Sequence, residues 1–198
     1  MLIKKSQWKI FILTLIYLLV FTFIFLSRKN YEFIIYVGVV VFFFSLILFT
    51  NKKVNYPNSV LWGLSFWGFL HMSGGGVLFK NGNRLYELIL INISETYFIL
   101  KYDQFVHIVG FFVATLVIYV LLKPLLKSNW KKWTSLSIVV IMAGFGLGAL
   151  NEVIEFIATV ITPETGVGGY INTSLDLISN LIGAIFAMIY IRFKKGKI

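Results

Sequence analysis

Residues 10–27 read IFILTLIYLLVFTFIFLS, and residues 33–51 read FIIYVGVVVFFFSLILFTN. Neither run holds a charged side chain. A helix needs about 20 mostly apolar residues to cross the hydrocarbon core of a bilayer. In lipid, backbone N–H and C=O groups must be satisfied within the protein, which such runs achieve as helices. Lys4, Lys5 and Lys9 precede the first run in the manner of a secretory signal. No small-residue cleavage site follows, because the run ends Phe25-Leu26-Ser27-Arg28. It is therefore read as a retained span.

Working outward, four more segments have the length and apolar character of spans. They are residues 60–79, 103–122, 133–162 and 173–191. The expected fold is an all-α membrane protein, a six-transmembrane-helix bundle forming one integral membrane domain over residues 1–198. Between spans 3 and 4, the stretch Leu85 to Leu100 is apolar but interrupted by Glu87, Asn92 and Glu95. It is expected to be an interfacial or re-entrant segment tucked against the bundle.

Composition agrees. Of 198 residues, 59% are hydrophobic and 13% charged, against about 45–50% and about 25% in soluble domains. A water-soluble domain and a disordered chain are both excluded. The absence of cysteine excludes disulfides, Cys-ligated zinc, iron–sulfur clusters and a thiol nucleophile. The net charge of +10 sits between apolar runs. It points to membrane orientation and anionic lipid, not to nucleic acid. With six spans and the N-terminus inside, inner segments hold thirteen Lys and Arg and outer segments hold five. The inner set includes Lys127, Lys131 and Lys132. This asymmetry predicts that both termini are cytoplasmic. Trp8, Trp62, Trp130 and Trp133 lie near span ends, as an interfacial belt requires. Gly144, Gly146 and Gly148 in span 5, and Gly183 with Ala187 in span 6, are expected at close helix contacts.

Ionisable groups inside spans are costly and mark functional sites by default. The two histidines of the chain, His71 and His107, both fall in spans. Asp103 and His107 are four residues apart and share a helix face. Glu152 and Glu155 share a face of span 5, and Asp176 and Asn180 share a face of span 6. Glu32, Glu87, Glu95 and Glu164 fall in outer loops. The span directions let all six in-span ionisable groups converge near the outer leaflet. Each also has a plainer reading. Asp176 fits a capping box with Thr173, and Asp103 suits a helix N-terminus. Glu152 and Glu155 resist such readings, because two acids on one face late in a helix repel each other and oppose the dipole.

The pattern Tyr102-Asp103-x3-His107, Glu152-x2-Glu155, Asp176-x3-Asn180-x2-Gly183-Ala184 resembles the VanZ-like bacterial membrane proteins. The run Leu70-His71-Met72-Ser73-Gly74-Gly75 resembles the uncharacterised YjdF-type inner-membrane proteins of that group. The resemblance covers about residues 66–190 and implies a multi-pass protein of a bacterial plasma membrane. Two departures stand out. Many VanZ-like proteins have Glu-x2-Gln where this chain has Glu152-x2-Glu155. Many also carry an arginine in the loop before the last span, and the loop Gly166 to Thr173 has none.

Three functional readings remain open. The first is a membrane-embedded, metal-dependent hydrolase or transferase acting on a lipid or lipid-linked envelope substrate. His71, His107 and Asp176 would ligate zinc or manganese, with Asp103 a ligand or an orienting partner. Glu155 would be the general base and Glu152 its partner, while Asn180 would be a structural interhelical hydrogen bonder. The second is a small-molecule transporter or substrate-binding membrane subunit, with the histidine–carboxylate chain as a proton relay. The third is a structural membrane protein whose polar network fixes helix register.

Overall fold

The computed structural model describes residues 3–94, 96–126, 133–162 and 168–198. The expectations for Glu95, Lys127, Trp130, Lys131, Lys132, Glu164 and the loop start at Gly166 lie outside these residues.

Six α-helices account for most of the described chain. They are α1 (Trp8–Ser27), α2 (Tyr31–Val54), α3 (Asn58–Gly76), α4 (Tyr102–Leu122), α5 (Trp133–Ile161) and α6 (Tyr170–Phe193). The sequence sets several ends. Lys29 and Asn55 take left-handed backbone conformations at the two ends of α2. Asn30 caps the start of α2 by accepting a hydrogen bond from the Phe33 N–H. Pro57 sits immediately before α3 and favours its first turn.

Among the described residues, five of the helices are long and apolar enough to cross a membrane, and α3 is not among them. Its physical distinction is composition. Gly63, Ser65, Gly68, His71, Ser73 and Gly74 to Gly76 dilute its apolar character. It also ends at Gly76, short of the expected Phe79. The helix α6 begins at Tyr170, three residues before the expected Thr173. That corrects the capping-box reading, because Thr173 is already inside the helix and Asp176 lies in its second turn.

The helices run alternately up and down. Two apolar clusters mark the two ends of the bundle. One gathers Phe25, Phe33, Tyr36 and Met72. The other gathers Tyr56, Val60, Leu116, Tyr119, Val140 and Ile191, and both Ile3 and Ile198 pack against it. Both described ends of the chain therefore lie at one end of the bundle, where Gln7 donates to the Tyr56 carbonyl and Tyr119 to that of Gly196. The first cluster walls the opposite end, which carries the polar groups.

Leu85 to Leu100 contains no α-helix among its described residues. A short 3-10 turn spans Leu85–Glu87, and isolated bridges join Leu78 to Arg84 and Ile89 to Lys101. The connection folds back on itself over the polar end. Its Leu88 to Ile91, Ile93, Tyr97 and Phe98 face outward, exposed.

Glycines bring α4, α5 and α6 together. A Cβ on Gly183 would strike the Ile108 carbonyl and lie 2.9 Å from the Phe112 nitrogen. A Cβ on Gly148 would lie 2.6 Å from that of Asn180. In the close-contact reading of span 5, Gly144 and Gly148 fit and Gly146 does not, having nothing within 4 Å.

Candidate metal centre

The site is built around His107, 8% exposed, on the second turn of α4. Its Nδ1 is 2.9 Å from Asn180 Oδ1, and Asn180 Nδ2 donates to Glu152 Oε1 at 3.2 Å. A carboxylate only accepts, so the Asn180 amide must turn its NH2 toward Glu152 and its oxygen toward His107. The Nδ1 of His107 is then the donor. In the neutral ring this leaves the lone pair on Nε2, the arrangement a ligating histidine needs.

That Nε2 faces two acids, Asp103 Oδ1 at 3.7 Å and Glu155 Oε1 at 3.8 Å. Glu152 approaches the other ring nitrogen, 3.5 Å from Nδ1. Asp176, fully buried, completes the ring from α6. Asn172, one turn earlier, donates to Asp176 Oδ2 at 2.6 Å and reaches Asp103 Oδ2 at 3.4 Å. Asn151 donates to Glu155 Oε1 at 2.7 Å.

Among the described residues, two sets of three ligand atoms lie within 4.8 Å of one another. They are Asp103, His107 and Asp176, and His107, Glu152 and Glu155. Metal–oxygen and metal–nitrogen bonds to zinc are about 2.0–2.2 Å, so donors across an ion stand about 4 Å apart. The spacing suits a divalent ion. The charge balance points the same way. Four carboxylates surround one imidazole, and among the described residues no Lys or Arg forms an ion pair with any of them. Asp176 Oδ1 is buried and accepts no hydrogen bond from the described residues. A buried carboxylate oxygen without a partner is costly, and a cation would satisfy it.

His71 joins neither set. It lines the same cavity of about 50 Å³ as Asp103, His107 and Glu155. Its ring stacks on Trp67 at 5.6 Å, and its Nδ1 is 2.5 Å from the Tyr86 hydroxyl. Glu152 and Glu155, expected as a pair, lie together beside His107, their oxygens within 4.8 Å of each other, Glu152 nearer Nδ1 and Glu155 nearer Nε2. The cavity also takes in groups that the sequence reading missed. Tyr86 comes from the connection after α3, packs on the Gly74 backbone and reaches the His71 carbonyl at 3.0 Å. Burial pushes its hydroxyl well above the usual tyrosine value. Arg84 bonds Glu32 at 2.9 Å and lies over the Phe33 ring at 5.6 Å. Asn172 had a legible signal, the i, i+4 spacing to Asp176. Tyr86 and Arg84 had none, because a non-helical connection carries no periodicity to aim them.

The sequence model of one family, described as "Predicted membrane protein (DUF2238)", matches residues 9–197. No curated protein matches. No solved structure matches.

Proposed function

The chain belongs to the DUF2238 family of predicted membrane proteins, and from that premise we propose that it is a membrane-embedded metalloenzyme. His107 Nε2, Asp103 and Asp176 hold one divalent ion. One nitrogen and several carboxylate oxygens suit zinc, and suit the harder manganese better. Asn180 and Glu152 fix the His107 tautomer from behind. Glu155, beside Nε2, is the general base. Such an ion lowers the pKa of bound water and supplies a nucleophile at neutral pH. The reaction class is hydrolysis or group transfer on a lipid or lipid-linked envelope substrate. The observation that carries the reading is the buried Asp176 Oδ1, without a hydrogen-bond partner among the described residues, beside the His107–Asp103 pair.

The chain makes six crossings with both termini cytoplasmic. The helix α3, with 19 residues, is about 28 Å long, close to the roughly 30 Å core. Five crossings would separate the chain ends, whereas Ile3 and Ile198 pack on the same cluster. Lys4, Lys5, Lys9, Lys52, Lys53, Lys123, Lys194, Lys195 and Lys197 gather at that end, the cytoplasmic one. The connection after α3 then lies at the outer leaflet, where its exposed apolar residues enter the interface. The bacterial plasma membrane and the kinship with VanZ-like and YjdF-type proteins rest on the motifs alone.

Elemental analysis of the purified, detergent-solubilised protein tests the metal. About one zinc or manganese per chain is expected, lost in a His107→Ala variant that keeps its size-exclusion profile. No stoichiometric metal after incubation with both ions would refute the metalloenzyme. The titratable cluster of His107 with Glu152, Glu155 and Asp103, each within 4 Å of the imidazole, would then favour proton transfer in a transport subunit.

A further inference from the structure

A second cavity, of about 60 Å³, lies between α1, α2 and α3 and has no part in the metal centre. Its walls are apolar. The polar side chains there satisfy each other, Thr14 donating to Ser65 at 2.7 Å. Its position is informative. On α2, Tyr36 lines the polar cavity, while Val40, Phe44 and Ile47 line the apolar one. These positions recur every three or four residues and form one helix face. On α3, His71 lines the polar cavity, while Trp67, Leu64 and Leu61 line the apolar one, again on one face. The two cavities therefore lie end to end between the same faces of the same two helices. Trp67, stacked on His71, stands at their junction.

We propose that the apolar groove holds the hydrocarbon chain of a long-chain amphiphile whose polar head lies in the His107 cavity. The apolar walls run about 9 Å along α3, from Trp67 to Leu61, and their inner end lies about 15 Å from His71 in the polar cavity, half the thickness of the roughly 30 Å hydrocarbon core. A short chain would leave its inner end unfilled, so the site selects for chain length. A wall of hydrocarbon with its hydroxyls paired offers nothing to a polar solute, which excludes a small hydrophilic ligand from this part of the molecule. The head-group assignment rests on the metalloenzyme reading; the chain assignment does not.

The test uses full-length protein in nanodiscs containing phosphatidylglycerol with a photoactivatable diazirine at the end of one palmitoyl chain. Adducts are mapped by mass spectrometry. Several-fold more adduct is expected on Val40, Phe44 and Leu64 than on Val139 and Met142, which are exposed in the first third of α5. Filling the groove with Leu64→Trp, or from the opposite wall with Val40→Phe, abolishes the excess and leaves α5 labelling unchanged. A probe with an octanoyl chain shows no excess. His107→Ala loses the metal and keeps the groove labelled, so failure of the metal centre is separable from failure of the groove. Labelling of the groove no heavier than that of α5, or unaffected by both filling variants, would overturn the proposal.

Discussion

The two halves of the bundle solve different problems. In the α4–α5–α6 half, small residues let backbones touch, and the space gained is filled by polar side chains. Gly183 meets the α4 backbone and Gly148 meets Asn180. All four acids around His107 come from this half. In the α1–α2–α3 half, aromatic rings fill the gaps. Phe33 covers Gly75, lies tilted against Phe25 and meets Tyr36 edge to face, and Phe21 covers Gly76. The difference teaches where rigidity is needed. A ligand set must be held to a fraction of an ångström, and backbone contact fixes it. A groove for a flexible chain needs only the right chemistry on its walls.

The sharpest way to break this comparison is a pair of glycine substitutions. Gly183→Leu should destabilise by about 3 kcal/mol through overpacking against backbone, read as a large fall in thermal midpoint. Gly38→Leu in α2, where a Cβ meets nothing within 4 Å, should stay within about 0.5 kcal/mol. Equal losses would show that the halves do not differ in tightness.

Asn180→Ala should cost about 2 kcal/mol, since it strips a partner from His107 Nδ1 and from Glu152. It should also weaken metal affinity by roughly 10–100-fold through the lost tautomer control. Competitive chelator titration measures the second effect. A variant with lower stability and unchanged affinity would make Asn180 a packing residue only. Glu155→Gln and Glu152→Gln sharpen the same half internally. Removing Glu152, behind the ring, should lower metal affinity with metal still bound at saturation. Removing Glu155 should leave metal content near wild type and abolish turnover once a substrate is found.

The smallest effect belongs to the connection over the site. Tyr86→Phe removes one hydroxyl from His71 and should cost about 1 kcal/mol, with faster tryptic cleavage at Lys80 and Arg84. Burial raises the Tyr86 hydroxyl above its unfolded value of about 10. Its contribution to stability is therefore complete below pH of about 10 and is lost as pH rises through the folded value. Wild type should lose stability faster than Tyr86→Phe above that pH. Parallel profiles would show that Tyr86 is not the titrating group.

Much of this was legible in the chain. Unbroken apolar runs such as residues 10–27 and 33–51 determined helices, because backbone polar groups in lipid have no other way to be satisfied. The spacings Asp103 to His107 and Asp176 to Asn180 determined shared faces, because helical period is local. The contacts of Glu152 were different. An i, i+3 pair tells which face two glutamates share, yet which nitrogen of His107 each one meets was decided only by the packing of α5 against α4. His71 looked like a ligand by residue type, and its neighbours Trp67 and Tyr86 gave it other work. Tyr86, Arg84 and the alignment of the groove with the polar cavity depend on contacts between residues far apart in sequence. Periodicity acts over a few residues, and it carries no record of which helix will lie beside which; tertiary structure alone decided those.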